Sequence, residues 1–140
     1  TEIVSLGTGA GIVDVVKPGG LVAIGTKLDP SLTRSDSLIG SVIGKPDTLP
    51  ENSTGAKLQV HLFDTAVGSA GETKVTPIKV DELLRVSVGT APVPAKVTKV
   101  TSDNVEIEFK RPVCIFAKGS VALSRRIAER WRLIGAGVID

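Results

Sequence analysis

Between residues 56 and 110, apolar side chains return at every second position. Leu58, Val60 and Leu62 alternate with Gln59, His61 and Phe63. Leu84, Val86 and Val88 alternate with Arg85 and Ser87, and Val105, Ile107 and Phe109 with Glu106, Glu108 and Lys110. In an extended chain successive side chains point to opposite faces, so a period of two with one polar face marks half-buried antiparallel strands. Turn residues separate the runs at Gly68–Gly71, Gly89-Thr90-Ala91-Pro92, Ser102-Asp103-Asn104 and Lys118-Gly119. With 15 Gly and 8 Pro spread along the chain, long helices are hard to place. At least six short strands after residue 56 predict a small closed antiparallel barrel, because closure removes unpaired edges.

The segment before residue 45 reads differently. Ile12, Val13, Val15 and Val16 form a short strand that stops at Lys17-Pro18-Gly19-Gly20, a turn. Leu21 to Ile24 is a buried β-rich run, Lys27 to Asp36 a loop, and Leu38 to Ile43 a further strand. Gly44 to Ser53 contains two Pro and little apolar content. The resulting division is an incomplete barrel over residues 1–44, a linker over 45–55 and a complete barrel over 56–140. The first part reads as the tail of a longer polypeptide whose strand edges would associate or fray alone. From Val121 to Leu133 the residues leave two readings open. Leu123, Ile127 and Trp131 suit an amphipathic helix, whereas Leu133, Ile134, Val138 and Ile139 suit strand.

Several function classes are excluded by what the chain lacks. Cys114 and His61 are each the sole residue of their type, so neither a disulfide nor a zinc site of ordinary spacing can be assembled. A reduced compartment, the cytoplasm, fits a lone cysteine. Cys114 reads as a small apolar packing residue and His61 as exposed. There is no signal-peptide pattern and no apolar run of the roughly 20 residues a spanning helix needs. No Ser-His-Asp set converges, so no catalytic residue is assigned. Thr26-Lys27-Leu28-Asp29 looks like a guanine-reading box, but the chain has no phosphate-binding G-x-x-x-x-G-K-[S/T] loop, so no nucleotide site is assigned.

Charge is uneven. The net charge is only +2, yet Lys110 to Arg132 holds seven basic residues against one acid, Glu129. The stretch before it, Asp81 to Phe109, carries more acid than base. Guanidinium forks suit phosphate because they donate two parallel hydrogen bonds. Arg111, Arg125, Arg126, Arg130 and Arg132 are therefore candidate nucleic-acid contacts, against the alternative of a solvated strand face. Trp131, the only Trp, reads as a core or interface anchor.

Two segments carry a family resemblance. Gly19-Gly20-Leu21-Val22-Ala23-Ile24-Gly25-Thr26-Lys27-Leu28-Asp29-Pro30 is one, and Leu123-Ser124-Arg125-Arg126 with Trp131-Arg132-Leu133-Ile134-Gly135 is the other. Together they resemble the gamma subunit of translation initiation factor 2, in its archaeal form, over the end of its second domain and its third. The resemblance implies an all-β chain with two strands joined by a turn near Ala128-Glu129, and a strand entered at Arg111-Pro112-Val113-Cys114, where Pro at a strand start loses no ladder bond. It implies a non-catalytic part of a GTPase, with GTP and Mg held in a G domain outside this chain and no cofactor here. The implied partners are methionyl initiator tRNA, the small ribosomal subunit, and the alpha and beta subunits of the same factor, with no membrane. The pocket for the charged tRNA end would fall on Gly19, Gly20, Gly25, Asp29 and Arg34. Alternatives are the matching region of a selenocysteine-specific elongation factor or elongation factor 1 alpha, or a protein-docking barrel without RNA contact.

Overall fold

The structure, a computed structural model, describes residues 1–68 and 71–140. The chain divides into two compact units, Thr1–Leu38 and Ile39–Asp140.

The second unit is built on six antiparallel strands that close into a barrel. In chain order they follow three strands of the first unit, β1 (Ile3–Thr8), β2 (Gly11–Val13) and β3 (Ala23–Thr26). They are β4 (Asn52–Val67), β5 (Leu83–Val88), β6 (Ala91–Val100), β7 (Val105–Cys114), β8 (Ser120–Ile127) and β9 (Arg130–Ile139). The spatial order is β4-β7-β6-β5-β8-β9, with β9 returning to β4. The alternating runs do what their period requires. Leu58, Leu84, Val86, Val105, Ile107 and Phe109 are buried, and they join Val93, Val97, Leu123 and Ile134 in one core. Their neighbours Gln59, His61, Glu108 and Lys110 face solvent. His61 stands edge-on to Phe63, with ring centroids 6.4 Å apart.

The ambiguous Val121–Leu133 segment is two strands. β8 and β9 pair from Ser120↔Val138 to Ile127↔Arg130, and Ala128 and Glu129 make the turn. Both turn residues have positive φ, 47° and 63°, the backbone of a tight hairpin whose twist matches its strands. A helix would have needed these two residues in the right-handed region.

Pro112 lies inside β7 near its end and not at a strand start as expected. β4 pairs with β7 at Ser53↔Val113 and next at Gly55↔Glu108, so β7 bulges between those pairs. A proline in that unpaired stretch forfeits no ladder bond to β4. Pro92 and Pro94 of β6 are accommodated similarly, since pairing with β7 begins only at Ala95↔Phe109.

The first unit is a three-stranded sheet, β2-β1-β3, from β1 (Ile3–Thr8), β2 (Gly11–Val13) and β3 (Ala23–Thr26). No residue of Thr1–Leu38 is buried, and two expectations there fail for that reason. The first strand run stops at Val13, and Val15 is exposed. Leu21 is 92% exposed and lies outside β3, whose ladder to β1 begins at Ala23. Leu38 to Ile43 is turn and irregular chain, because no described strand pairs with it. Apolar alternation specifies a strand only where a neighbouring strand takes its backbone groups.

Part of the expected turn at Gly68–Gly71 lies outside the described residues. Beyond it, the connection to β5 folds back on β4 through a bridge between Thr65 and Lys74. Ile78 from this connection is buried in the barrel core.

The two units should differ sharply in local stability. Amides of Thr1–Leu38 are expected to exchange with solvent orders of magnitude faster than those of Leu58, Leu84, Leu123 and Ile134, because backbone bonds without a buried apolar layer open easily. Hydrogen exchange read residue by residue checks this. Equal protection across both units would contradict it.

Candidate functional site

The strand directions divide the basic tail. β4 runs from one end of the barrel to the other, and β7, β8 and β9 alternate in direction around it. Arg125, Arg126, Arg130 and Arg132 therefore stand at the end that also holds Val67, Leu83, Val100 and Val105, here called the Arg130 end. Arg111 and Lys118 belong to the opposite end, with Asn52, Ala91 and Ile139. The separation is roughly the length of a strand, on the order of 20–30 Å. A basic run continuous in sequence is thus not one surface.

At the Arg130 end the arginines take different parts. Cross-strand pairing sets Arg125 opposite Arg132, Arg126 opposite Trp131 and Ile127 opposite Arg130. Alternation then places Arg125, Arg130 and Arg132 on one face of the hairpin, with Arg126 and Trp131 on the other.

Arg125 is already engaged. Its Nε donates to Glu82 Oε1 at 2.5 Å and its Nη2 to Glu82 Oε2 at 3.2 Å. Nη1 donates to the Thr76 carbonyl at 2.9 Å and to Thr76 Oγ1 at 3.0 Å, and Nη2 also reaches the Pro77 carbonyl at 3.3 Å. Only 15% of the Arg125 side chain and 19% of the Glu82 side chain are exposed. This guanidinium fastens the β4–β5 connection to β8, and its donors are spent within the fold. Arg126 pairs with Glu129 across the turn, and both are exposed. Arg130 and Arg132 have no ion-pair partner among the described residues, with Arg130 exposed and Arg132 half-buried. Trp131 is half-buried on the hairpin and does not enter the core.

Sequence reading missed other cations at this end. Lys74 and Lys79 lie on the β4–β5 connection, exposed. Arg85 of β5 sits opposite Ser124 of β8. Asp64, Glu72, Glu82, Asp103 and Glu129 stand there too, so the end is mixed in charge. Only the barrel's closure brings Lys74, Lys79 and Arg85 beside the hairpin, and no sequence window contains that information.

Arg111 lines a cleft of about 460 Å³ at the opposite end, together with Pro112, Val113, Cys114 and the segment Leu49–Asn52. Cys114 is half-buried there, with Sγ 3.9 Å from the Pro50 carbonyl. Asp140 at this end accepts from Lys57 and Lys118, and those hydrogen bonds and charges hold its carboxyl below the usual range.

In the first unit, Gly19 and Gly20 are exposed in the β2–β3 connection with φ of 111° and 80°, and no atom stands within 4 Å of where a side chain would begin. Their backbone is open to a ligand and closed to L residues by conformation. Gly25 lies in β3 opposite Ser5. Asp29 caps a short 3₁₀ segment, Pro30–Asp36, its Oδ1 accepting from Ser31 N at 2.8 Å. Those Ser31 hydrogen bonds hold the carboxyl below its usual pKa. Lys27 is ion-paired with Glu2 at 2.5 Å. Two of the would-be guanine-reading side chains thus have local structural duties. Arg34 is exposed, in a kink where its φ and ψ leave the helical region.

Among the described residues no group of three His, Cys, Asp or Glu could hold a metal ion, and no helix is long and apolar enough to cross a membrane. Comparison with known proteins gives the geometry its setting. Residues 54–139, essentially the barrel, match the model of the family described as initiation factor eIF2 gamma, C terminal. The translation initiation factor 2 subunit gamma of Aeropyrum pernix is 50% identical over 139 residues, covering 99% of this chain and 34% of that protein. The chain belongs to the initiation factor 2 gamma family. The same subunit of Pyrococcus furiosus is 49% identical over 139 residues, and that of Methanopyrus kandleri 50%. Each match covers 34% of the relative, so the chain spans about a third of the length of the gamma subunits it matches. These matches favour the initiation factor 2 gamma reading over the elongation-factor alternatives.

Proposed function

We infer that this chain is a non-catalytic, C-terminal part of an initiation factor 2 gamma subunit that helps to hold methionyl initiator tRNA for delivery to the small ribosomal subunit. GTP hydrolysis would belong to a G domain elsewhere in the factor, and the alpha and beta subunits would complete the complex. Within this reading the Arg130 end is the phosphate-contacting surface. The observation that carries it is the pair Arg130 and Arg132, cations without an ion-pair partner among the described residues on a hydrogen-bonded hairpin, with Lys74, Lys79 and Arg85 at the same end. A guanidinium on a strand is held in place before it meets phosphate, so little is lost in ordering it. Arg125 takes no direct part, since its donors are occupied. The exposed Gly19-Gly20 backbone, with Gly25, Asp29 and Arg34, would supply the separate contribution near the aminoacylated end.

The test is a salt-dependent titration of methionyl initiator tRNA against the full-length factor. The variant is Arg126→Gln, Arg130→Gln and Arg132→Gln combined, and Arg111→Gln serves as comparison. Each phosphate contact removed should reduce the slope of log K against log salt by about 0.7–0.9. The triple variant is expected to lose one to two such units and Arg111→Gln none. An unchanged slope in the triple variant would point to a barrel that docks protein only.

A further inference from the structure

Arg125 spends its donors inside the fold, and where it spends them bears on the surface beside it. The β4–β5 connection is tied at each end by backbone hydrogen bonds. Val75 N donates to the Asp64 carbonyl at 3.0 Å, next to the bridge between Thr65 and Lys74, and Asp81 N donates to the Val97 carbonyl at 2.8 Å. Between those ties the chain is fastened through side chains. Ile78 is buried in the barrel core. Arg125 Nη1 and Nη2 reach the Thr76 and Pro77 carbonyls. Glu82 Oε2 accepts from Lys79 N at 3.0 Å and from Arg125 Nη2 at 3.2 Å. The Lys79 backbone is therefore linked to β8 through one carboxylate and one guanidinium. The Lys79 side chain itself is exposed and has no ion-pair partner among the described residues.

Glu82 can serve two donors at once because a carboxylate accepts on both oxygens, and Arg125 can hold Glu82 and two carbonyls because its planar fork donates along more than one edge. Arg125 also stands opposite Arg132 in the β8–β9 ladder. One side chain thus fixes the spacing between Lys79 and the hairpin arginines. Cations already held at their spacing meet successive phosphates without the ordering cost that a loose connection incurs. We propose that Arg125, with Glu82, is a positioning residue for phosphate contact. It touches no RNA itself and holds Lys79 where that lysine shares the tRNA backbone with Arg130 and Arg132. The proposal rests on the reading of the Arg130 end as the phosphate-contacting surface. Arg85 provides the contrast, a cation at the same end that is placed by the β5 ladders to β6 and β8 and not by Arg125.

The test is the slope of log K against log salt for methionyl initiator tRNA on the full-length factor. Lys79→Gln should lower it by about 0.7–0.9, one phosphate contact. Arg125→Lys keeps the charge and loses the fork, and it should lower the slope by a similar amount. The double variant should lose no more than either single, because both remove the same contact, whereas whatever Arg85→Gln costs should add in full to the Arg125→Lys loss. Should Arg125→Lys fail to fold, Glu82→Gln replaces it. That change removes an acid, which by charge alone would strengthen tRNA binding, but its amide nitrogen cannot accept from Arg125 or Lys79 N, so binding should weaken. A full slope in Lys79→Gln or Arg125→Lys, losses that add in the double variant, or tighter binding by Glu82→Gln would each overturn the proposal. Failure of the underlying reading shows separately, as an unchanged slope in the combined Arg126, Arg130 and Arg132 variant, and the proposal falls with it.

Discussion

Replacing Arg125 with alanine is expected to destabilise the barrel by about 2–3 kcal/mol, whereas Arg126→Ala one position on should change stability by less than about 0.5 kcal/mol. The two residues are adjacent, have the same charge and belong to one strand. They differ in what surrounds them. Removing Arg125 deprives Glu82 of both bonds from the guanidinium, leaving only the Lys79 N–H at 3.0 Å. It also strips the Thr76 and Pro77 carbonyls of the donor they share. A half-buried carboxylate with an unpaired oxygen is the costly product, and the estimate is kept below that of a fully buried pair because water still reaches both side chains. Arg126 leaves behind only a solvated Glu129. Lysine at 125 should recover little, since a point charge cannot span Glu82, Thr76 and Pro77 as a planar fork does. Urea unfolding of the single variants decides the matter, and a midpoint for Arg125→Ala equal to that of Arg126→Ala would contradict it. A second readout follows from geometry. If Arg125 fastens the β4–β5 connection, its loss should raise amide exchange at Val75 and Ile78 more than at Leu58.

This contrast also separates what the sequence discloses from what it withholds. Alternation over Leu58–Leu62, Leu84–Val88 and Val105–Phe109 was enough to specify a barrel, because a period of two is a local property and burial on one face follows from it. The β8–β9 hairpin was half legible. Leu123, Ile127 and Trp131 satisfy helical spacing as well as strand, and the positive φ at Ala128 and Glu129 that settles the choice belongs to residues with no strong preference for it. Leu38–Ile43 misled for the opposite reason: its pattern is local, but a strand is a relation between two segments, and none pairs with it here. The candidate interface was legible as composition and illegible as arrangement. Seven basic residues in one stretch suggested one surface, and closure of the barrel sends Arg111 and Lys118 to one end and the hairpin arginines to the other. Arg125 looked identical to its neighbour until Glu82, 43 residues earlier, was found beside it.

The largest effect of a single added methyl group is expected at Gly135. Gly135 sits in β9 between Leu123 of β8 and Leu62 of β4, beside a register shift at Leu123/Ser124 that leaves Ile134 as the extra residue. A Cβ built there would overlap the His61 carbonyl oxygen and lie 3.0 Å from Leu62 Cα and 3.1 Å from Leu62 Cδ2. Two of those three atoms are backbone, held by the β4 ladder itself. They cannot turn aside as a side chain could, so β4 and β9 must part beside the fully buried Ile134. Gly135→Ala should therefore cost about 3 kcal/mol or more. Gly137→Ala, two residues on, meets Val121 Cγ2 at 3.2 Å first and the Gln59 carbonyl only at 3.5 Å, so rotation of one valine relieves it at about 1 kcal/mol. Gly9→Ala meets nothing within 4 Å and should be neutral. Denaturant midpoints for the three variants should fall in that order, and a Gly135→Ala midpoint indistinguishable from Gly9→Ala would mean that β4 and β9 yield where their backbones approach most closely. The order has a functional corollary. Gly135 follows the run Trp131-Arg132-Leu133-Ile134, so the glycine that lets β9 lie tight against β4 also fixes the strand from which Arg130 and Arg132 project. On the proposed phosphate contact, loosening it should weaken tRNA binding without removing any charge, by letting the two guanidinium groups lose their fixed spacing.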